Sequence, residues 1–331
     1  MIRIAVDAMG GDHAPSSIID GALAAARHID LALDLAGPID VIRAELARHS
    51  DAEHLDIRIL DAPDVVAMTE SPTAALRKKA RASIRVAAES VANGGAAALV
   101  SAGHTGATVM ASHAAFGMLA GVDRPALAAT IPSGDRLGIL LDVGANVECR
   151  AQHLLQFAAM GAVYARVSLG LEHPRIGLLS IGEEEGKGNE LIRESHRLLK
   201  ASTLNFIGNV EAREVYKGHA DVIVCDGFTG NIALKASEGL VDTVERLLEE
   251  ELNRTFSGMV GSLLSRRAFR RFRRRLDYSE YGGAPLLGVA GVCIVGHGRS
   301  NAKAVRNAIA MAHRFSTAGF LQRVEREIAA A

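Results

Sequence analysis

The sequence predicts a three-layer α/β/α fold: a mostly parallel sheet covered by helices on both faces. Three observations carry this. Short apolar runs alternate with longer helical patterns along nearly the whole chain, the signature of parallel strands joined by helical crossovers. The apolar runs end repeatedly in glycine-rich turns, and glycine, at 33 of 331 residues, is in excess of its usual share of about 7%. The hydrophobic fraction of 49% is enough for a substantial core.

In order, Ile2 to Asp7 reads as a strand, followed by a helix that starts near Pro15 and runs to about His28. Leu31 to Ala36 and Ile57 to Leu60 are strands on either side of a helix near Ile39 to His49. Asp61 to Thr73 holds two prolines and is expected to be a loop. A helix from Ala74 to Ala92 stops at Asn93-Gly94-Gly95. Ala96 to Val100 is a strand, and Thr108 to Leu119 a helix. Leu127 to Ile131 and Leu137 to Val143 are neighbouring strands turned at Ser133-Gly134-Asp135. Helices over Gln152 to Val167 and Lys187 to Ala201 flank a strand at Arg175 to Ile181. Strands at Leu204 to Gly208 and Val222 to Cys225 precede a long helix from Thr229 to Asn253. Ala302 to about Ala329 closes the chain as helix. Neither a repeat nor a low-complexity linker divides the sequence, so residues 1–331 are expected to form one unit.

One stretch departs from this pattern. Ser257 to Leu276 carries Arg266, Arg267, Arg270, Arg271, Arg273, Arg274 and Arg275, with Phe269, Phe272 and Leu276 at helical spacing. It predicts a basic amphipathic helix, a projecting insertion over residues 254–280. An acidic partner, an anionic lipid surface or a seam between two copies would each suit it.

Several functions are disfavoured. A net charge of -1 argues against nucleic-acid binding. Cys149, Cys225 and Cys293 form no CxxC pair and read as reduced small hydrophobes of a cytosolic protein. Met1 to Val6 leads directly into a strand, so no signal peptide is expected, and no run reaches the roughly 18 apolar residues that span a bilayer. Metal-ligand spacings, GxGxxG and GxSxG are all missing, so neither metal nor cofactor is expected.

The turns are where chemistry is expected. Ser101 to Ala107 breaks from a strand into a helix and leaves free backbone N–H groups at the helix N-terminus, which suits an anion such as phosphate. Gly103, Thr105 and Gly106 supply the turn, and His104 either contacts the anion or a substrate carbonyl, or caps the helix. Similar turns follow at Asp7 to Asp12, Asp142 to Asn146, Gly182 to Asn189, Cys225 to Asn231 and Gly296 to Gly298. In an open parallel sheet all would lie on one edge and converge on one cleft. Asp12 and His13 could face it, although Asp12 could equally be an N-cap. His297 has the same ambiguity. Lys187, between Gly186 and Gly188, places an ammonium beside an anion or pairs with a neighbouring glutamate in a solvated turn; the spacing is not that of a P-loop. Asn146, Asn189 and Asn231 either donate to a ligand oxygen or ease a tight turn. Arg77, Lys78, Lys79 and Arg81 begin a predicted helix, where the dipole disfavours cations; they read either as a solvated charge run or as a response to an anionic ligand.

Seven motifs in order, DAMGGDHAP at Asp7 to Pro15, Ser101 to Ala107, DVGAN at Asp142 to Asn146, GKGNE at Gly186 to Glu190, FIGNVEAR at Phe206 to Arg213, DGFTGN at Asp226 to Asn231 and YGGA at Tyr281 to Ala284, closely resemble the phosphate acyltransferase (PlsX) family of bacterial phospholipid synthesis. The resemblance spans almost the whole chain. It implies a fold like isopropylmalate dehydrogenase and phosphotransacetylase. It further implies acyl transfer from acyl-[acyl carrier protein] to inorganic phosphate, with the product passed to a membrane glycerol-3-phosphate acyltransferase. A cytosolic homodimer peripherally associated with the membrane is implied as well. On this reading Lys187, His104 and Asn231 are the expected catalytic residues. Gly103, Thr105, Gly106, Gly186, Gly188 and Asn189 are expected to bind phosphate. Asp12, His13, Asn146, Arg270 and Arg271 are expected to bind the remaining substrate. His104 departs from the family, which commonly carries Asn there. The alternatives are an acyl-CoA enzyme of the phosphotransacetylase kind and a non-catalytic carrier-protein-binding module.

Overall fold

A single eleven-stranded sheet organises the chain, with strand order β3-β2-β1-β4-β11-β10-β5-β6-β9-β7-β8. The structure is a computed structural model that describes residues 1–255, 257, 258, 261, 264–267, 269 and 280–330. β1 (Ile2–Asp7), β2 (Leu31–Gly37), β3 (Ile57–Asp61), β4 (Ala98–Ser101) and β11 (Val292–Val295) are mutually parallel. β6 (Arg136–Leu141), β9 (Val222–Val224), β7 (Ile176–Ser180) and β8 (Phe206–Glu211) form a second parallel set. Between the sets lie β10 (Ala284–Leu287) and β5 (Ala126–Ser133), and the pairs β11–β10, β10–β5 and β5–β6 are all antiparallel. The two parallel sets therefore point in opposite directions.

This corrects the expectation that the turns share an edge because the strands share a direction. Register brings them together instead. Ala284 pairs with Val295, the last residue of β11, and Leu286 pairs with Leu127. Ala128 in turn pairs with Leu141, the last residue of β6. The ends of β11 and β6 thus sit within about one register step of each other. The two half-sheets are offset along β5 and β10 and meet carboxyl end to carboxyl end.

Side-chain alternation sends neighbouring residues to opposite faces. Ile4, Val6, Ala98 and Val100 enter one core with helices α1 (Ser16–Ala26) and α6 (Ala151–Tyr164), while Ala5 and Leu99 enter the other with α4 (Ser83–Ala92) and α5 (Thr105–Phe116). The first core also receives α9 (Ala302–Thr317) and α10 (Phe320–Ala330). There the fully buried Tyr164 meets Phe315 edge-on, its hydroxyl 2.7 Å from Thr130 Oγ1, and Phe315 stacks on Phe320 at 4.3 Å. Helices thus cover both faces, as expected.

Several elements differ from the sequence expectation. The helix expected over Ala74 to Ala92 is two, α3 (Pro72–Lys78) and α4. Asp64 sets the break: its carbonyl accepts from Ser83 N–H at 3.0 Å and its carboxylate from Arg81 N–H at 3.3 Å. Arg77 and Lys78 consequently end a helix, where the dipole favours cations. Lys79 Nζ is held by Glu70 and the Val65 carbonyl, both at 2.6 Å, and Arg81 pairs with Asp61. No bound anion is needed to explain this run. The closing helix breaks at Gly319, whose φ of +61° suits glycine. α7 (Glu190–Ala201) begins after Asn189, whose Oδ1 accepts from Ile192 N–H at 3.0 Å, so Lys187 precedes the helix.

α8 (Gly227–Asn253) buries only Gly227 and Gly230 and leaves Leu240, Val244, Leu247 and Leu248 exposed. Beyond it, Ser265 N–H bonds to Gly261 O and Phe269 N–H to Ser265 O, as in a helix. Arg270, Arg271 and the rest of the expected basic helix to Leu276 lie outside the described residues.

Candidate active site

A buried aspartate at a strand end organises the turns of each half-sheet that face the other half. In the first half this is Asp7, on β1. Its Oδ2 accepts from Ser101 Oγ at 2.7 Å, and Ser101 Oγ accepts from Gly103 N–H at 3.1 Å. A Cβ on Gly10 would stand 2.6 Å from Asp7 Oδ2 and 2.7 Å from Gly103 N, so the β1 and β4 turns approach with backbone alone. The β11 turn joins them: Asp12 N–H donates to Gly298 O at 2.8 Å, and Gly296 N–H to Ser101 O at 2.7 Å.

In the second half the organiser is Asp142, which is fully buried. Its carboxylate accepts from the N–H groups of Leu127, Gly144, Ala145 and Asn146 at 2.8–3.1 Å, and from Asn146 Nδ2 at 2.9 Å. Burial pushes the Asp142 carboxyl up and these donors pull it back; burial likewise raises Asp7, opposed by hydrogen bonds from Ser83, Ser101 and Met9. The first turn of α8 locks onto this turn. Gly227 N–H donates to Asn146 O at 2.8 Å, and a Cβ on Gly230 would overlap the Asp142 carbonyl oxygen.

Between the halves lies a cavity of 770 Å³. One wall carries Asp12, Thr105, Gly106, His297 and Arg299; the other carries Gly144, Asn231, Lys235 and Glu238; Leu127, Ala129 and Thr130 of β5 also line it. The first turns of α5 and α9 contribute Thr105, Gly106 and Ala304, and the second turn of α8 contributes Asn231. Two positive helix ends around one void suit an anion. Lys235 Nζ is 2.8 Å from Glu238 Oε2.

The cavity collects some of the expected site residues and not others. Asp12, Thr105, Gly106 and Asn231 line it. Gly103 and His104 sit just beneath, around a small void beside Asp7. His104 is the N-cap of α5, its Nδ1 accepting from Gly106 N–H at 3.1 Å. Asn146 is buried and committed, with its amide donating to Pro125 O at 2.6 Å as well as to Asp142. Asn189 caps α7. Of the three asparagines, Asn231 alone lines the cavity. His13 is exposed and lies outside the lining, as do Gly186, Lys187 and Gly188 of the loop after β7. The Lys187 stem folds over Gly182, whose Cβ would lie 2.9 Å from Lys187 Cγ.

Lys235, Glu238, Arg299 and Thr130 were not singled out from the sequence. Asn231, Leu234, Lys235 and Glu238 stand at i, i+3, i+4 and i+7 of one helix, so the DGFTGN turn already carried the signal for the α8 members. All three cysteines are free, and burial pushes Cys149 up to about 11, Cys293 up to about 12 and Cys225 well above the ordinary thiol value. These thiols stay protonated at neutral pH and offer no thiolate nucleophile.

Two histidines make a pH prediction. Burial and then the Lys235 charge push His297 below its ordinary 6.5; burial and then Arg150 do the same to His153. Both bind protons less readily in the fold than when unfolded. Stability is therefore expected to fall as pH drops below about 6.5, until both folded values are passed. Urea midpoints at pH 5, 6 and 7 for wild type and His297→Gln check this: the variant should show the shallower decline.

The fold itself is that of the phosphotransacetylases. The chain superposes on a phosphotransacetylase from Streptococcus pyogenes with a TM-score of 0.65 at 17% identity, covering 96% of this chain and 94% of that one. It superposes on the EutD phosphotransacetylase from Staphylococcus aureus with a TM-score of 0.59 at 15% identity, covering 97% and 94%. In sequence, residues 2–323 match the family model described as "Fatty acid synthesis protein". A phosphate acyltransferase from Acidobacterium capsulatum is 51% identical over 327 residues, 99% of this chain and 97% of the relative. One from Heliobacterium modesticaldum is 48% identical over 327 residues, covering 99% and 98%. The chain belongs to the phosphate acyltransferase (PlsX) family, transferases of lipid biosynthesis.

Proposed function

We propose that the chain transfers a fatty acyl group from acyl-[acyl carrier protein] to inorganic phosphate and releases acyl phosphate. The observation that carries this is the cavity walled by both half-sheets, with the N-termini of α5 and α9, Asn231 and the Lys235 ammonium around it. A phosphate oxygen attacks the thioester carbonyl carbon, and a new C–O bond forms. The C–S bond then breaks, and the thiol leaves with a proton drawn from the attacking phosphate. Phosphate is itself a competent nucleophile at neutral pH, so an acyl-enzyme is unnecessary, in keeping with protonated cysteines. Catalysis is positioning and electrostatic stabilisation.

In this reading the backbone N–H of Thr105 seats phosphate, with Gly103 and Gly106 keeping the turn open and the His104 cap, which takes the Gly106 N–H, holding it in place. Asn231 donates to the developing oxyanion, and Lys235 supplies positive charge. Lys187, with Gly186, Gly188 and Asn189, offers a second ammonium from the adjoining loop. Asp12 and His13 border the same mouth. The exposed apolar residues of α8 support pairing with a second copy. Arg270 and Arg271 are assigned to the acidic carrier protein or to anionic lipid, on which the membrane contact rests. That contact is direct or through a glycerol-3-phosphate acyltransferase. No described helix is long and apolar enough to cross a membrane.

The test is phosphate-dependent release of free carrier protein from acyl-[acyl carrier protein], run beside acyl-CoA. Release that requires phosphate and favours the carrier protein supports the reading. Preference for acyl-CoA moves it to the phosphotransacetylase kind, and no release with either donor leaves only a binding module.

A further inference from the structure

A second recess of 580 Å³ lies between α3, α4 and α5, on the outer side of the reaction cavity. Its α5 wall is Met110, Ala111, Ala114 and Ala115, and its α3 wall is Thr73, Leu76 and Arg77. Met110 lines both the recess and the cavity, and Thr73 Oγ1 lies 3.7 Å from its Sδ. The two spaces therefore meet at one flexible thioether, a side chain that repacks easily around apolar guests. On α5 the face at 110, 111, 114 and 115 is apolar, yet Met110 and Ala114 remain exposed. Of the three charged residues lining it, Arg77, Arg85 and Glu89, the last two are turned to each other: Arg85 Nε is 2.9 Å from Glu89 Oε1, one turn apart on α4.

We propose that this recess receives the distal part of a long acyl chain whose thioester lies in the cavity, with Met110 as the gate between them. The proposal rests on the acyl-transfer reading above. The cavity's turns and charges serve the phosphate and the reacting carbonyl, whereas a fatty chain needs an apolar continuation. The recess is contiguous with the cavity and has an apolar wall on α5, faced by Leu76 of α3 and Ala92 of α4. Longer donors gain apolar contact there, and short donors never reach it.

Ala114→Trp and Thr73→Trp plug the recess from opposite walls at exposed positions outside the cavity lining. Carrier protein loaded with butyryl, octanoyl or palmitoyl groups serves as donor, with inorganic phosphate as acceptor and Tm recorded for each variant. Both plugs are expected to lower the palmitoyl-to-butyryl ratio of kcat/KM at least tenfold, mainly through KM for the palmitoyl donor. Met110→Ala should shift the ratio in the opposite direction. A ratio unchanged in both plugged variants, or equal losses on all donors, overturns the recess while leaving acyl transfer intact. A wild type that forms no acyl phosphate from any donor overturns the parent reading and the recess with it.

Discussion

Replacing Asp142 by alanine is expected to lower Tm by roughly 5 °C and to remove nearly all acyl phosphate formation. The carboxylate holds five N–H groups, four of them backbone, from Leu127 and the turn Gly144 to Asn146. A buried donor left without a partner costs about 1–3 kcal/mol. The turn lies against the cavity and can recover some bonds from water, so the net loss is about 3–5 kcal/mol rather than the sum. Activity falls further than stability because the same turn seats the start of α8, which carries Asn231 and Lys235 into the cavity. Asp142→Asn should be intermediate: it keeps one acceptor oxygen but sets an NH2 group against N–H donors. Gly230→Ala should resemble Asp142→Ala, since its new methyl occupies the place of the Asp142 carbonyl oxygen. Thermal melts and steady-state rates on the three variants check the set. A wild-type melting curve for Asp142→Ala would refute the role of the carboxylate as organiser.

Lys235→Ala is expected to reduce kcat/KM for phosphate about 100-fold, the scale for losing one preorganised group aimed at developing charge. Lys235 stands one helical turn beyond Asn231 on the cavity face of α8 and pairs with Glu238 at 2.8 Å. Its charge also acts on His297 across the cavity. Lys235→Arg should recover part of the loss, while the uncharged Lys235→Met should not. Lys187→Ala is the companion measurement. If it carries the whole effect on phosphate KM and turnover while Lys235→Ala carries none, the cation belongs to the loop after β7. If Lys187→Ala is normal in both, that lysine has no part in the reaction.

The framework of the cleft was legible because glycine-rich strand ends are punctuation that single residues determine. The turns at Gly10–Gly11, Gly103, Gly144 and Gly230 were located by residue type alone, and the structure packs Gly10, Gly11, Gly103 and Gly230 against neighbouring backbone and Gly144 against the Asn231 side chain. Strand direction was not legible. The hairpin of Leu127 to Ile131 with Leu137 to Val143 could be read locally, but its direction relative to the first half-sheet is set by β10, which pairs with β5 from about 160 residues away. β10 escaped notice for a related reason: four residues between glycines have no periodicity of their own. The break between α3 and α4 is made by Asp64, remote in sequence from the helix that it interrupts. Among site residues, Lys187 drew attention through its glycine neighbours. Lys235, in an ordinary helical context, was visible only once Asn231 had been placed on a helix face.

The order of the chain through the two half-sheets has a consequence for biosynthesis. β1 to β4 emerge first, but β4 gains its outer neighbour only when β11 is made, and α1 gains its helical partner only with α9. The segment that forms β5 to β9 is threaded in between. Its own helix α6 is closed last of all, by α10, where Arg166 meets Glu327 at 2.6 Å. Neither half is therefore complete until the segment from β10 to α10 has cleared the ribosome. A nascent chain halted before residue 284 would hold every turn of the cleft except that of β11, with an unpaired edge on each side of the gap.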